Sequence, residues 1–186
     1  MGQRAIQPQL RAGDHGLPTV VRRIAGAALI AAAALAQATW APHLEVGGAF
    51  PNLVLLGAVA VTWTVGARSG MVWACAGGVL LDLTGSGPIG PHALALLAGV
   101  YVIGFWTRSM ERPNGVYVAL TAAVSTVLYS AVLVLAGGLL GFSVPRPESM
   151  VWLAFAAAVY NALLMPPALE VFRRIQALSR WEALPN

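Results

Sequence analysis

The sequence predicts an all-α integral membrane protein with six transmembrane helices in one bundle. Three observations predict it. Hydrophobic residues make up 58% of the 186 residues and charged residues 10%, with a mean hydropathy of +0.73. A soluble domain carries about 25% charged residues, so nearly all of this chain must be buried in lipid or protein. The apolar residues fall into six runs, and all but one of the arginines outside the runs fall on one side.

The runs are Ile24–Trp40, Leu53–Ala67, Met71–Leu83, Ala93–Trp106, Val116–Leu140 and Val151–Phe172. A helix needs about 20 residues to cross the hydrocarbon core. The second, third and fourth runs are shorter and need flanking Pro, Asn, Ser and Gly residues to complete a span. Arg68-Ser69-Gly70 links the second and third, and Thr84–His92 links the third and fourth, as turns of helical hairpins. Residues 1–18 are polar and read as a disordered cytoplasmic tail. Residues 19–176 form the membrane domain, and 177–186 a cytoplasmic C-terminal tail.

With the N-terminus inside, ten of the eleven arginines are cytoplasmic and only Arg146 is outside. That is a strong positive-inside bias and puts both termini in the cytoplasm. It also accounts for the pI near 10.0 without a nucleic-acid partner. Trp40, Trp106 and Trp152 end their runs, as an aromatic belt would place them. Arg22-Arg23 followed by an Ala-rich run and Ala34-Leu35-Ala36 is also compatible with a cleaved signal peptide. The preceding region is long for a signal, and a retained anchor is the preferred reading.

Asp82 is the most informative residue. Carboxylates inside spanning helices are costly and face protein or water rather than lipid. Gly70, Ala74, Gly78 and Asp82 recur every fourth position, on one helix face, and the small residues form a seam that admits a close helix. Asp82 falls near the outer C-terminus of its helix, where the macrodipole disfavours an anion. Compensation is expected from Asn52, His92 or Arg146, or from loop amides in Thr84–Gly87. Pro51-Asn52 opens the second span. Asn161 lies well inside the sixth, where a buried amide bonds across helices. Pro166-Pro167 must kink that span or free its carbonyls. Glu170 is spaced to pair with Arg173 or Arg174. Gly137-xxx-Gly141 could be a homodimer seam, though a weak one. No nucleophile–base pair, Walker loop, HExxH or carboxylate pair is present, and the single cysteine, Cys75, with scattered histidines gives neither a disulfide nor a zinc pattern. No enzyme, metal or cofactor is expected.

Three segments, AFPNLVLLGAVAVTW, GGVLLDLTGSGPIGPHALAL and YNALLMPPALEVFRRIQ, resemble the MreD family of rod shape-determining proteins. The family's pattern falls on Pro51-Asn52, on Gly78, Leu80, Asp82 and Leu83 with Gly85-Ser86 and Gly90, and on Asn161 and Pro166. The resemblance begins near Phe50 and covers most of the chain; the polar N-terminal tail and the doubled proline depart from it. It implies a non-enzymatic inner-membrane scaffold of the elongasome that works with MreC, MreB, RodA and a class B transpeptidase. It also implies a fold similar to the substrate-binding S-component of energy-coupling-factor transporters. That similarity supplies the alternative, a vitamin-binding transport subunit. Such a subunit needs polar and aromatic groups converging in an outer cavity, and only Asn52, Asp82 and His92 are on offer. The site residues implied, structural or partner-binding, are Pro51, Asn52, Gly70, Ala74, Gly78, Asp82, Gly85, Gly90, Asn161 and Pro166.

Overall fold

The computed structural model describes residues 19–85, 87–107, 114–142 and 146–181. The expected tail 1–18, Ser86 of the third turn, Arg108 and Arg112, and residues 182–186 lie outside the described residues. Among the described residues the fold is six α-helices without a strand. They are α1 (Thr19–Thr39), α2 (Leu53–Thr64), α3 (Ala67–Thr84), α4 (Pro91–Thr107), α5 (Gly115–Leu139) and α6 (Pro147–Trp181), with a 3-10 turn at Ala41–Leu44.

The centre of the bundle is α2, which packs against all five other helices. Its sequence, LVLLGAVAVTWT, is apolar all round, and a helix of that kind must be buried on every side. Val54, Leu55, Leu56, Ala58, Val59 and Ala60 are accordingly buried. Gly57 admits the indole of Trp73 from α3; a Cβ there would lie 2.5 Å from Trp73 Cζ2. The indole Nε1 donates to the Val54 carbonyl at 3.1 Å.

Two links differ from the sequence expectation. Arg68-Ser69-Gly70 is helical, inside the first turn of α3. The chain turns instead at Val65-Gly66. Both N–H groups there donate to the Val61 carbonyl, and Gly66 has φ +119°, a region open to glycine because it lacks a Cβ. His92 likewise belongs to α4, which starts with Pro91 at its first position, where a missing N–H matters least.

The small-residue face of α3 is used inside the chain. A Cβ on Gly70 would overlap the Thr62 hydroxyl of α2, and one on Gly78 would overlap the Cα of Ala93 in α4; Ala74 between them is fully buried. The seam expected for a partner helix is thus filled by α2 and α4. The proposed dimer seam fails for a different reason. Gly141 lies past the end of α5 with φ +77°. Phe142 N donates to Gly137 O at 3.0 Å and Gly141 N to Gly138 O at 3.3 Å, the Schellman arrangement that stops a helix. Gly137 and Gly141 therefore do not share a helix face.

The helices differ in reach. Among the described helices only α5 and α6 are long and apolar enough to cross a bilayer; α2, α4 and the apolar part of α1 have 10–17 residues. The sixth helix continues unbroken through Pro166-Pro167, both exposed, and on to Trp181, beyond the expected domain limit at residue 176. The exposed Arg174 Nε sits 3.1 Å from Glu170 Oε1.

The α3–α4 approach gives a direct test. Gly78→Ala should lower unfolding stability in detergent by about 1–3 kcal/mol, the cost of overpacking. Gly137→Ala, with open space around it, should be neutral or stabilising. Equal melting of the two variants would refute the close approach.

Candidate functional site

The first turn of α4 and the last turn of α3 meet through Asp82. Its side chain is 3% exposed. Oδ2 accepts from Gly90 N at 2.8 Å and Ala93 N at 3.4 Å, and Oδ1 from His92 N at 3.0 Å. Among the described residues the donors are neither the side chains of Asn52, His92 and Arg146 nor the amides of Thr84, Gly85 and Gly87, so these expectations are corrected. The reason is the geometry of the hairpin. The start of a helix has N–H groups with no partner inside the helix and the positive end of its dipole. Gly78, one turn below Asp82, brings that start into reach. Asp82 sits at the unfavourable end of its own helix and the favourable end of the next.

The other residues of this hairpin divide by role. Gly90 has φ +127°, which L side chains rarely adopt, and its N–H is one of the three donors. Gly85 caps α3 with ordinary extended backbone and carries no such requirement. The His92 imidazole packs near Tyr129 of α5, tilted by 56° with centroids 5.9 Å apart. Its Nδ1 is 3.7 Å from Asp82 Oδ1 and buried without a hydrogen-bond partner, too far for a hydrogen bond.

The second cluster is built on Pro51-Asn52. Asn52 caps α2, its Oδ1 accepting from Leu55 N at 2.9 Å. Its own N–H donates to Asn161 Oδ1 of α6 at 2.9 Å. Asn161, fully buried, donates through Nδ2 to Thr126 Oγ1 of α5 at 3.0 Å, and that hydroxyl donates to Ala122 O at 2.8 Å. From α1, Gln37 Nε2 donates to the Pro51 carbonyl at 3.1 Å while its Oε1 accepts from Leu53 N at 2.6 Å. The phenol of Tyr129 lies against Asn52 and near Asp82, joining both clusters in one polar layer.

The layer brings together Pro51, Asn52, Asp82, Gly90 and Asn161. Gly70 and Ala74 lie farther down α3, and Pro166 is exposed on α6 away from it. Sequence reasoning missed Gln37, Thr126 and Tyr129. Gln37 was visible as the one amide in an Ala-rich run. Thr126 and Tyr129 carried no signal, because hydroxyls are common in membrane helices and usually bond their own backbone, as Thr62 and Thr64 do here.

A separate groove between α5 and α6, about 490 Å³, is lined by Val127, Leu128, Phe155, Ala158, Ala162 and neighbours. Its walls are apolar and offer nothing to orient a polar small molecule.

The described residues therefore form an all-helical bundle in which Asp82, Asn52, Asn161 and Gln37 bond backbone groups of the chain itself, with two helices long and apolar enough to cross a membrane. Residues 20–175 match the family of the rod shape-determining protein MreD, and the chain belongs to that family. No curated protein and no solved structure matches it. Family membership assigns the chain a role in rod cell shape.

Asp82 substitutions separate its charge from its bonding. Leucine would strand three N–H donors, and each unpaired buried donor costs about 1–3 kcal/mol; Asp82→Leu should not yield a folded bundle in detergent. Asp82→Asn keeps one acceptor oxygen and should fold with a lowered melting temperature. A wild-type melting curve for Asp82→Leu would refute the cap.

Proposed function

We propose that the protein is a non-enzymatic scaffold in the bacterial inner membrane, with six membrane-embedded helices, both termini cytoplasmic and a fold similar to the S-component of energy-coupling-factor transporters. It binds an MreC-like bitopic protein and supports the elongasome with MreB, RodA and a class B transpeptidase. The observation that carries this reading is the use made of the polar residues. In a small-molecule binder Asn52, Asp82 and Asn161 would converge on a ligand. Here Asp82 and Asn161 bond backbone groups of a neighbouring turn or helix, Asn161 also bonds the Thr126 hydroxyl, and Asn52 caps its own helix. Gln37 ties α1 to the start of α2, which supports a first span retained as an anchor. The arginine asymmetry supports the orientation.

The test is complementation of a rod-shaped bacterium depleted of its own MreD, with copurification from native membranes and mass spectrometry. The wild-type chain should restore rods and recover an MreC-like partner. Asp82→Asn should keep most of both, and Asp82→Leu should lose both. Cysteine labelling at position 147, in a Cys75-free background, should succeed only from outside. Recovery of a transport ATPase module and tight vitamin binding lost in Asp82→Asn would instead establish the transporter class.

A further inference from the structure

Helices α3, α4 and α5 reach about equally far toward the inner end of the bundle, and the helices reach unequally toward the outer end. His92 to Thr107 in α4, and Tyr129 back to Gly115 in α5, are each about 14 to 15 residues, or ~22 Å at 1.5 Å per residue. On the inner side α6 also meets the end of α2, where Gln176 Nε2 donates to Thr64 Oγ1 at 3.0 Å. On the outer side α3 ends at Thr84 and α4 begins at Pro91, within a turn of Asp82. By contrast α5 runs on from Tyr129 to Leu139, about 15 Å, and α6 begins at Pro147, about 21 Å before Asn161. The outer part of the α5–α6 hairpin overshoots the α3–α4 turn.

Burial follows the same division. Among the described residues of the hairpin none beyond Thr126 in α5, and none before Ala158 in α6, is buried. Below a charged tip at Arg146 and Glu148 the overshoot is apolar, with Val134, Leu135, Leu139, Val151, Trp152 and Phe155 exposed. Beside it lies irregular backbone: Gly85, Gly87, Pro88 and Ile89 of the α3–α4 turn are exposed.

A flat bilayer cannot suit both features. If the outer surface lies level with the end of α5, the turn's exposed backbone sits in hydrocarbon, where lipid-exposed irregular backbone is not found. If it lies level with the turn, the apolar overshoot stands in water, at a cost proportional to its area. Bilayers meet such mismatch by local thinning. We infer that this face of the protein binds a stepped outer leaflet, with lipid headgroups lowered over the α3–α4 turn and raised along α5–α6. The inference rests on the membrane-spanning reading above.

The test uses the full chain with Cys75→Ser, a nitroxide on a single cysteine, and nanodiscs of phosphatidylcholine and phosphatidylglycerol. Oxygen and nickel-chelate accessibilities then report depth. Leu135 lies farther out along the bundle than Ile89. The step reverses that order in lipid: the label in Leu135→Cys is oxygen-favoured, and the label in Ile89→Cys is nickel-favoured. Two oxygen-favoured labels would mean a flat bilayer covering the turn and would overturn the step. A nickel-favoured label at 135 would place the overshoot in water, leaving it to a protein partner, and would overturn the step as well. Tyr101→Cys, on the exposed middle of α4, is the control. An oxygen-poor label there refutes the spanning of α4 itself, separately from the step.

Discussion

A carboxylate inside a membrane bundle persists only if donors that cannot leave surround it, and for Asp82 those donors are the free N–H groups at the start of α4. Side chains can rotate away or lose a proton; helix-end amides are fixed by the backbone and carry a standing partial charge. The contact satisfies both ends of a difficult hairpin, giving the anion its donors and the helix start an acceptor. It also sets conditions on its neighbours. A side chain at residue 78 would hold α4 away from Asp82, and a Cβ at residue 90 would strain the backbone that presents the first N–H. Gly78, Asp82 and Gly90 are one device spread over thirteen residues of chain.

The same logic governs the start of α2. A helix apolar on every side has no solvent at its end, so its first N–H groups need partners from within the bundle. Asn52 serves one from its own side chain, Gln37 another from α1, and Asn161 a third from α6. Each acceptor oxygen comes from a different part of the chain, so capping α2 also fixes where α1 and α6 lie. Hydrocarbon packing resists separation of helices but distinguishes rotations and registers poorly. A few directional bonds at one level supply the distinction, and the interior below that level is mostly apolar, with the buried Thr62 and Thr121 hydroxyls bonded to their own helices.

Much of this was legible in the chain. Each of the six apolar runs gives one helix because exclusion from water dictates both, although the first, second and fifth runs extend past their helix ends. Asp82 was legible as buried because it continues the small-residue face, and Asn161 as a cross-helix residue because an amide has few other fates in a span. What was not legible is the identity of the partners. A carboxylate's need for a donor is local, but which donor arrives depends on how the turn Thr84–Gly90 folds back, and helix-end amides have no letter of their own. The breaks at Gly66 and Gly141 were hidden for a related reason. Glycine is used as often for helix contact as for helix ending, and position in the fold decides between the two. Gly70 and Gly78 show the first use, Gly66 and Gly141 the second.

These constraints bear on how loss of function at the motif positions is to be read. Asp82, Asn52 and Asn161 are engaged in intramolecular bonds, so a partner helix that met them would have to displace their donors and acceptors at the cost of leaving them unpaired in a water-poor interior. A partner helix would therefore have to meet the bundle on its outer surfaces, with the polar layer acting indirectly by holding the outer hairpin, α1 and α6 in place. A variant at Asp82 that releases a partner reports a displaced turn, and one at Asn161 a displaced helix. Recovery of binding when a second substitution restores the fold, without restoring the carboxylate, is the signature that distinguishes this indirect control from direct contact.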